Sequence, residues 1–141
     1  MKTRKGSCLC GDIRFEVDGE IRGIGQCHCS QCRKSSGVNG SMVFLLRTER
    51  FRWLAGEDRI KKFQLRDTYS ATRCERCGSP MPASYDGGNH MWVPPGLMDD
   101  DLDASLALHH HVASKADWDE IPPHLPQYAA YPPAELVFGD D

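Results

Sequence analysis

The sequence lacks any long apolar run. No stretch in its 141 residues approaches the roughly 18 consecutive apolar residues that mark a membrane-spanning helix. No apolar segment follows the basic residues 2–5, so no secretory signal is visible. We therefore expect a cytoplasmic protein without a membrane partner.

An excess of basic charge is also absent. Formal net charge is −3, from 17 basic and 20 acidic side chains. Since proteins that bind nucleic acids need clustered cations, we expect no nucleic-acid partner. Apolar residues make up 40% of the chain, which also has 13 glycines and nine prolines. This composition indicates a single, turn-rich domain over residues 1–141, whose modest core would gain stability from a bound metal.

Sustained helical periodicity is absent too, and there is no internal repeat. Residues 12–17 alternate polar and apolar, and residues 42–46 form a short apolar run, both typical of strands. We predict further strands at Phe51 to Trp53 and at residues 60–65, 69–73, 91–93 and 106–112. The only candidate helical turn covers residues 30–34. The fold class is therefore predicted to be mainly β, with little helix.

The carboxy-terminal segment differs in composition. Five of the nine prolines lie between Pro122 and Pro133, and proline cannot donate to a sheet ladder. The interspersed Leu125, Tyr128 and Tyr131 favour a segment that packs on the domain, although a disordered tail has a similar composition. We adopt the packed alternative, with residues 120–141 as a proline-rich tail.

Seven cysteines form three close groups: Cys8-x-Cys10, Cys27-x-Cys29-x-x-Cys32 and Cys74-x-x-Cys77. Zinc takes four thiolates at structural sites, and three protein ligands plus an open position at catalytic sites. Disulfides would leave one thiol over, and a redox Cys-x-x-Cys is expected at the head of a helix. Buried structural cysteines would not cluster in this way. We therefore predict one closed and one open zinc site.

The closed site combines the first and last groups. In an extended strand Cys8 and Cys10 share a face, and Leu9 would point the other way, towards apolar packing. The Cys74-x-x-Cys77 pair precedes Gly78 and is typical of a zinc knuckle. We predict that Cys8, Cys10, Cys74 and Cys77 hold a structural zinc ion.

The open site is assigned to Cys27, Cys29 and Cys32, as ligands of a catalytic zinc ion. His28 would point away from its neighbours and is interpreted as a packed or solvent-facing residue. His90 or one of residues 109–111 remains an alternative fourth ligand. The triple histidine is interpreted as a partly exposed strand, in which two of the three imidazoles share a face.

Several zinc chemistries are excluded by the residues present. Zinc deaminases need a glutamate where this chain has Cys29, and a proline where it has Arg73. No His-Glu-x-x-His motif occurs. A thiolate-rich zinc favours a soft ligand, and a substrate thiol bound there would lose its proton and add to an aldehyde.

The same cysteines carry a family resemblance, together with two segments in the carboxy-terminal half. The motifs are Gly6-Ser7-Cys8-Leu9-Cys10-Gly11, Cys27-His28-Cys29-Ser30-Gln31-Cys32-Arg33-Lys34-Ser35-Ser36-Gly37, Cys74-x-x-Cys77-Gly78-Ser79-Pro80, Gly96-Leu97-x-Asp99 and Ser114-Lys115-Ala116-x-Trp118. The chain thus resembles the glutathione-dependent formaldehyde-activating enzyme family, also called the centromere protein V family. The match spans nearly the whole chain.

The resemblance implies a β-tent fold of small antiparallel sheets and two zinc sites divided as above. It also implies a carbon–sulfur lyase reaction, in which glutathione and formaldehyde give S-hydroxymethylglutathione. Two departures from the family pattern lie beside the knuckle: Arg73 replaces an aromatic residue, and Met81-Pro82 replaces an apolar–aromatic pair. We expect these changes to reshape the substrate pocket.

Candidate contacts for glutathione follow the open site directly. Arg33 and Lys34 are predicted to bind its carboxylates, and Ser35, Ser36 and Gly37 offer further donors. Trp92 and Trp118 are interpreted as core or strand-face aromatics. Two alternatives to the lyase stay open: a carrier that binds glutathione or its adducts without turnover, and a zinc-stabilised interaction domain.

Overall fold

Short strands are the main regular elements of the computed structural model, which describes residues 2–137. The ten strands are β1 (Thr3–Ser7), β2 (Arg14–Asp18), β3 (Ile24–Cys27), β4 (Ser41–Arg47), β5 (Phe51–Ala55), β6 (Ile60–Leu65), β7 (Tyr69–Cys74), β8 (Ala83–Tyr85), β9 (His90–Val93) and β10 (Leu106–His110). The α-helices are α1 (Ser30–Ser36) and α2 (Ala134–Val137). The prediction of a mainly β fold is confirmed. Within residues 2–137, no helix has the length and apolar character needed to span a bilayer.

The strands form three small sheets. One sheet has the order β1-β2-β5, a second has the order β10-β3-β4-β9-β8, and β6 pairs with β7 alone. Neighbouring strands are antiparallel, except that β10 runs parallel to β3, with His110 opposite Cys27. This parallel pair brings the histidine-rich end of β10 beside the central cysteine group.

Two of the predicted strands, β2 and β4, bury alternate side chains. Phe15 and Val17 of β2 are fully buried, and so are Phe44 and Leu46 of β4. Burial of such a side chain contributes about 1.5–3 kcal/mol to folding. The strands β1, β3 and β8 are not predicted, because these short segments lack an apolar alternation and are held mainly by backbone pairing.

One continuous apolar cluster joins the two larger sheets. Phe15 and Phe51 stack at a centroid distance of 5.3 Å in the first sheet, and Phe44 and Met91 come from the second. The same cluster contains the buried Cys8 and Cys74, one from each of the two cysteine pairs predicted to share a structural zinc ion. A metal ion bound there would consequently be attached to the core itself.

The proline-rich segment runs alongside β10. The backbone N–H of His109 donates to Pro126 O, and the N–H of His111 donates to Ala130 O, both at 2.9 Å. The N–H of Tyr128 donates to His109 O, also at 2.9 Å. These bonds attach residues 126–130 to the sheet. The last part of the predicted tail, residues 138–141, lies outside the described residues.

Candidate metal centres and the adjoining cavity

Four cysteine sulfurs converge where β1 and β7 end. The Sγ atoms of Cys8, Cys10, Cys74 and Cys77 all lie within 4.8 Å of one another. The Cys8–Cys10 separation is 3.6 Å and the Cys10–Cys74 separation is 3.8 Å. A tetrahedral zinc ion with Zn–S bonds of about 2.3 Å places its sulfurs about 3.8 Å apart. The four thiolates therefore fit such an ion. They are the four cysteines that the sequence predicts as ligands of one structural zinc ion.

Two turns present these sulfurs, rather than one strand end and one turn. β1 stops at Ser7, and the N–H of Gly11 donates to Cys8 O at 3.1 Å. Leu9 is consequently 86% exposed, so the prediction that it packs against apolar residues is wrong. In the knuckle, the N–H of Gly78 donates to Cys74 O at 2.9 Å, and Gly78 has a φ of 79° that favours glycine.

Nearby donors favour the ionised form of two of these cysteines, Cys8 and Cys77, whereas the neighbouring sulfurs raise the pKa of Cys10. The N–H of Ile13 donates to Cys8 Sγ at 3.4 Å. Hydrogen bonding from Ser79, whose Oγ lies 3.3 Å from Cys77 Sγ, lowers the pKa of Cys77 to about 5. A metal ligand must be a thiolate, so these contacts assist metal binding.

The central cysteines sit at a strand-to-helix junction. Cys27 ends β3, Cys29 caps α1, and Cys32 occupies the first turn of the helix. The N–H of Cys32 donates to Cys29 Sγ at 3.3 Å. All three sulfurs lie within 4.8 Å of one another, so they can hold one metal ion.

The pKa values of Cys27 and Cys32 are shifted in opposite directions. The contact with Cys27 lowers the pKa of Cys32 to about 5, and the neighbouring Ser41 and Tyr69 hydroxyls act in the same direction. The same contact, together with burial, raises the pKa of Cys27. The two sulfurs therefore titrate as a coupled pair, and a cation bound between them would displace the remaining proton.

Gly40 allows the loop after α1 to approach Cys27 closely. A Cβ on Gly40 would lie 2.1 Å from Cys27 O, and the residue has a φ of 149°. Glycine is thus required where this loop crosses the cysteine backbone.

Two of the histidines considered as a fourth ligand lie elsewhere. His28 is 1% exposed, and its Nε2 lies 2.9 Å from His109 Nδ1. Burial lowers the pKa of both imidazoles, so they pack as a neutral pair. Of the two alternatives predicted for His28, packed or solvent-facing, the structure shows the packed one. His90 Nδ1 lies 3.3 Å from Asp86 Oδ2 and belongs to neither cysteine group.

The triple histidine does not behave as a regular strand. β10 ends at His110, and His111 adopts a left-handed conformation with a φ of 57°. His109 faces the buried His28, whereas both His110 and His111 face Cys27. Cys27 Sγ lies 3.8 Å from His111 Nδ1. The alternation that would place His109 and His111 on one face is thus broken after His110.

A cavity of about 830 Å³ adjoins the central cysteines. Its wall includes all three of these cysteines and both His110 and His111. Pockets of about 300–1,000 Å³ typically hold small organic ligands. The cavity is therefore far larger than a small aldehyde alone requires.

The cavity wall carries charged side chains besides its cysteines. Among the described residues, the wall has two arginines, Arg22 and Arg73, one carboxylate, Asp67, and no lysine or glutamate. Arg73 donates to Ser35 Oγ at 2.8 Å and to Ser35 O, which joins the knuckle strand to α1. Sequence reasoning did not identify Arg22, because no local motif marks it.

Most of the predicted glutathione contacts lie outside this wall. Arg33 and Lys34 do not line the cavity, whereas Ser35 does. Their role in binding carboxylates stays a prediction. Trp92 is half-buried on β9 and lines the cavity, while Trp118 is 67% exposed in a turn. The interpretation of Trp118 as a core or strand-face residue is wrong.

Comparisons with known proteins show a similar fold and a family. A crystal structure of a protein from Rhodobacter sphaeroides is similar in fold, with a TM-score of 0.57 and 18% sequence identity. The alignment covers 87% of this chain and 98% of that one. The family model for glutathione-dependent formaldehyde-activating enzyme matches residues 3–114. The chain therefore belongs to the glutathione-dependent formaldehyde-activating enzyme family.

Proposed function

We propose that this protein is a carbon–sulfur lyase that adds glutathione to formaldehyde or a similar small aldehyde at the three-cysteine site. The observation that carries the proposal is the position of Cys27, Cys29 and Cys32 in the wall of a large cavity. A zinc ion held by three thiolates would keep one position for a substrate thiol and would ionise that thiol at neutral pH.

The reaction needs no oxidant and no leaving group. The substrate sulfur forms a bond to the carbonyl carbon, and the carbon–oxygen π bond breaks. The proton lost by the thiol ends on the resulting oxygen, which gives an S-hydroxymethyl product. Holding the sulfur and the aldehyde together in one cavity would supply much of the rate increase.

The chain's own residues have separate tasks in this proposal. The hydrogen bond from the Cys32 N–H to Cys29 Sγ holds the Cys29 sulfur at the start of α1, in the cavity wall. Arg22 and Arg73 would bind the carboxylates of glutathione, and Ser35 holds the Arg73 guanidinium in place. We place the reaction in the cytoplasm, because the cysteines must stay reduced to bind metal.

Turnover can be measured directly by NMR. With zinc-loaded protein, glutathione and formaldehyde, we expect exchange between free and adduct signals to exceed the spontaneous rate. The control is C29S, which should stay folded, lose only the zinc of the three-cysteine site and give the spontaneous rate. Saturable glutathione binding without acceleration would contradict the lyase and favour a carrier. Absence of binding would favour an interaction domain.

A further inference from the structure

Cys27 belongs to a second set of potential metal ligands. The donor atoms of Cys27, His110 and His111 all lie within 4.8 Å of one another. Cys27 Sγ is 3.8 Å from His111 Nδ1, and His110 Nδ1 is 2.8 Å from His111 Nδ1. Among residues 2–137, no such set combines these imidazoles with Cys29 or Cys32. The two sets share only the Cys27 sulfur.

The backbone explains why two consecutive imidazoles face the same sulfur. Side chains of successive strand residues point to opposite faces, so an extended His111 would turn away from Cys27. Instead His111 has a φ of 57°, a conformation that is uncommon for a residue other than glycine. The hydrogen bond from its N–H to Ala130 O holds it there. Such strained residues cluster at functional sites.

Packing fixes the ring of His111 as well. Its centroid lies 4.6 Å from that of Tyr131, with the rings nearly perpendicular at 82°. Packing against Tyr131 thus holds the His111 imidazole beside the Cys27 sulfur.

We propose that Cys27, His110 and His111 form a second metal site, which shares the Cys27 sulfur with the three-cysteine site and takes a borderline divalent ion such as Zn²⁺ or Co²⁺. Imidazole and thiolate together are typical ligands of these ions. A thiolate keeps further lone pairs after binding one ion, so Cys27 can bridge two.

The observed distances are close to those that the site requires. A tetrahedral zinc ion places sulfur and nitrogen ligands about 3.6 Å apart and two nitrogens about 3.3 Å apart. The Cys27–His111 and His110–His111 separations here are 3.8 Å and 2.8 Å, and the donor atoms of Cys27 and His110 lie within 4.8 Å of each other. Since all three residues line the cavity, the remaining positions of this ion would be accessible to a ligand in it.

Cobalt titration of the zinc-loaded protein tests the site. The protein is first given two equivalents of zinc, which the two cysteine sites should take, and Co²⁺ is then added. We expect one further equivalent to bind, with a sulfur-to-cobalt charge-transfer band from Cys27, while both zinc ions are retained. H110A and H111A should each weaken this binding by about 10-fold or more, since even outer-shell changes cost about 10–100-fold in metal affinity.

The matched control is H124A, which removes an exposed histidine of the tail and should bind cobalt like the original protein. Retention of two zinc ions and an unchanged far-UV spectrum would show that each variant is folded. Absence of a third equivalent, loss of zinc during uptake, a missing charge-transfer band or unchanged binding in both variants would overturn the proposal. The titration reads metal uptake alone, so its outcome is separate from that of the lyase reaction.

Discussion

Replacing Cys74 by serine is expected to unfold much of the chain. Cys74 is 2% exposed, lies in the main apolar cluster and has its sulfur 3.8 Å from that of Cys10. Structural zinc contributes about 10–16 kcal/mol in small zinc-dependent peptides, whereas a whole domain is stable by only about 5–15 kcal/mol. Loss of the ion would therefore remove most or all of the stability, and the serine hydroxyl would also be buried.

Circular dichroism and zinc analysis measure this effect together. The C74S protein should show no cooperative thermal transition and should have lost the zinc of the four-cysteine site. C29S is the matched control, because it makes the same chemical change at the other cysteine group. A C74S protein that melts at the temperature of the unmodified chain would contradict a structural role for this group.

Replacing Cys29 by serine is expected to abolish turnover and to leave the chain folded. One of only three sulfur ligands is lost, so the zinc of the central group should dissociate and turnover should fall to the spontaneous rate. The fold should persist, because Cys29 caps α1 and serine is among the best N-cap residues. The four-cysteine site is untouched by this change.

Native mass spectrometry should find one zinc ion on C29S and two on the unmodified protein. The far-UV spectrum and the melting transition of C29S should stay close to those of the unmodified chain. If C29S and C74S lost metal and structure to the same extent, the division into one structural and one reactive site would be wrong.

The cysteine groups could be predicted because their spacing is local. Cys27, Cys29 and Cys32 lie within six residues, so one strand end and one helical turn decide where their sulfurs go. The strands with buried alternation, such as β2 and β4, are also visible in the sequence. The pairing of Cys8 and Cys10 with the knuckle followed from the ligand count alone.

The histidines could not be placed by the same reasoning. The left-handed conformation of His111 is fixed by a hydrogen bond to Ala130, which lies nineteen positions along the chain and comes from the tail. Arg22 likewise reaches the cavity only through the sheet topology. Leu9 was misplaced because β1 ends before the first cysteine, so strand geometry does not apply there.

Zinc-edge X-ray absorption of the protein loaded with two equivalents of zinc tests the central claim most directly. The claim is that the three-cysteine site accepts the sulfur of a substrate thiol. Adding glutathione should raise the mean number of sulfur ligands per zinc, whereas S-methylglutathione, which has no free thiol, should leave that number unchanged. An unchanged sulfur count while glutathione is bound would contradict the account.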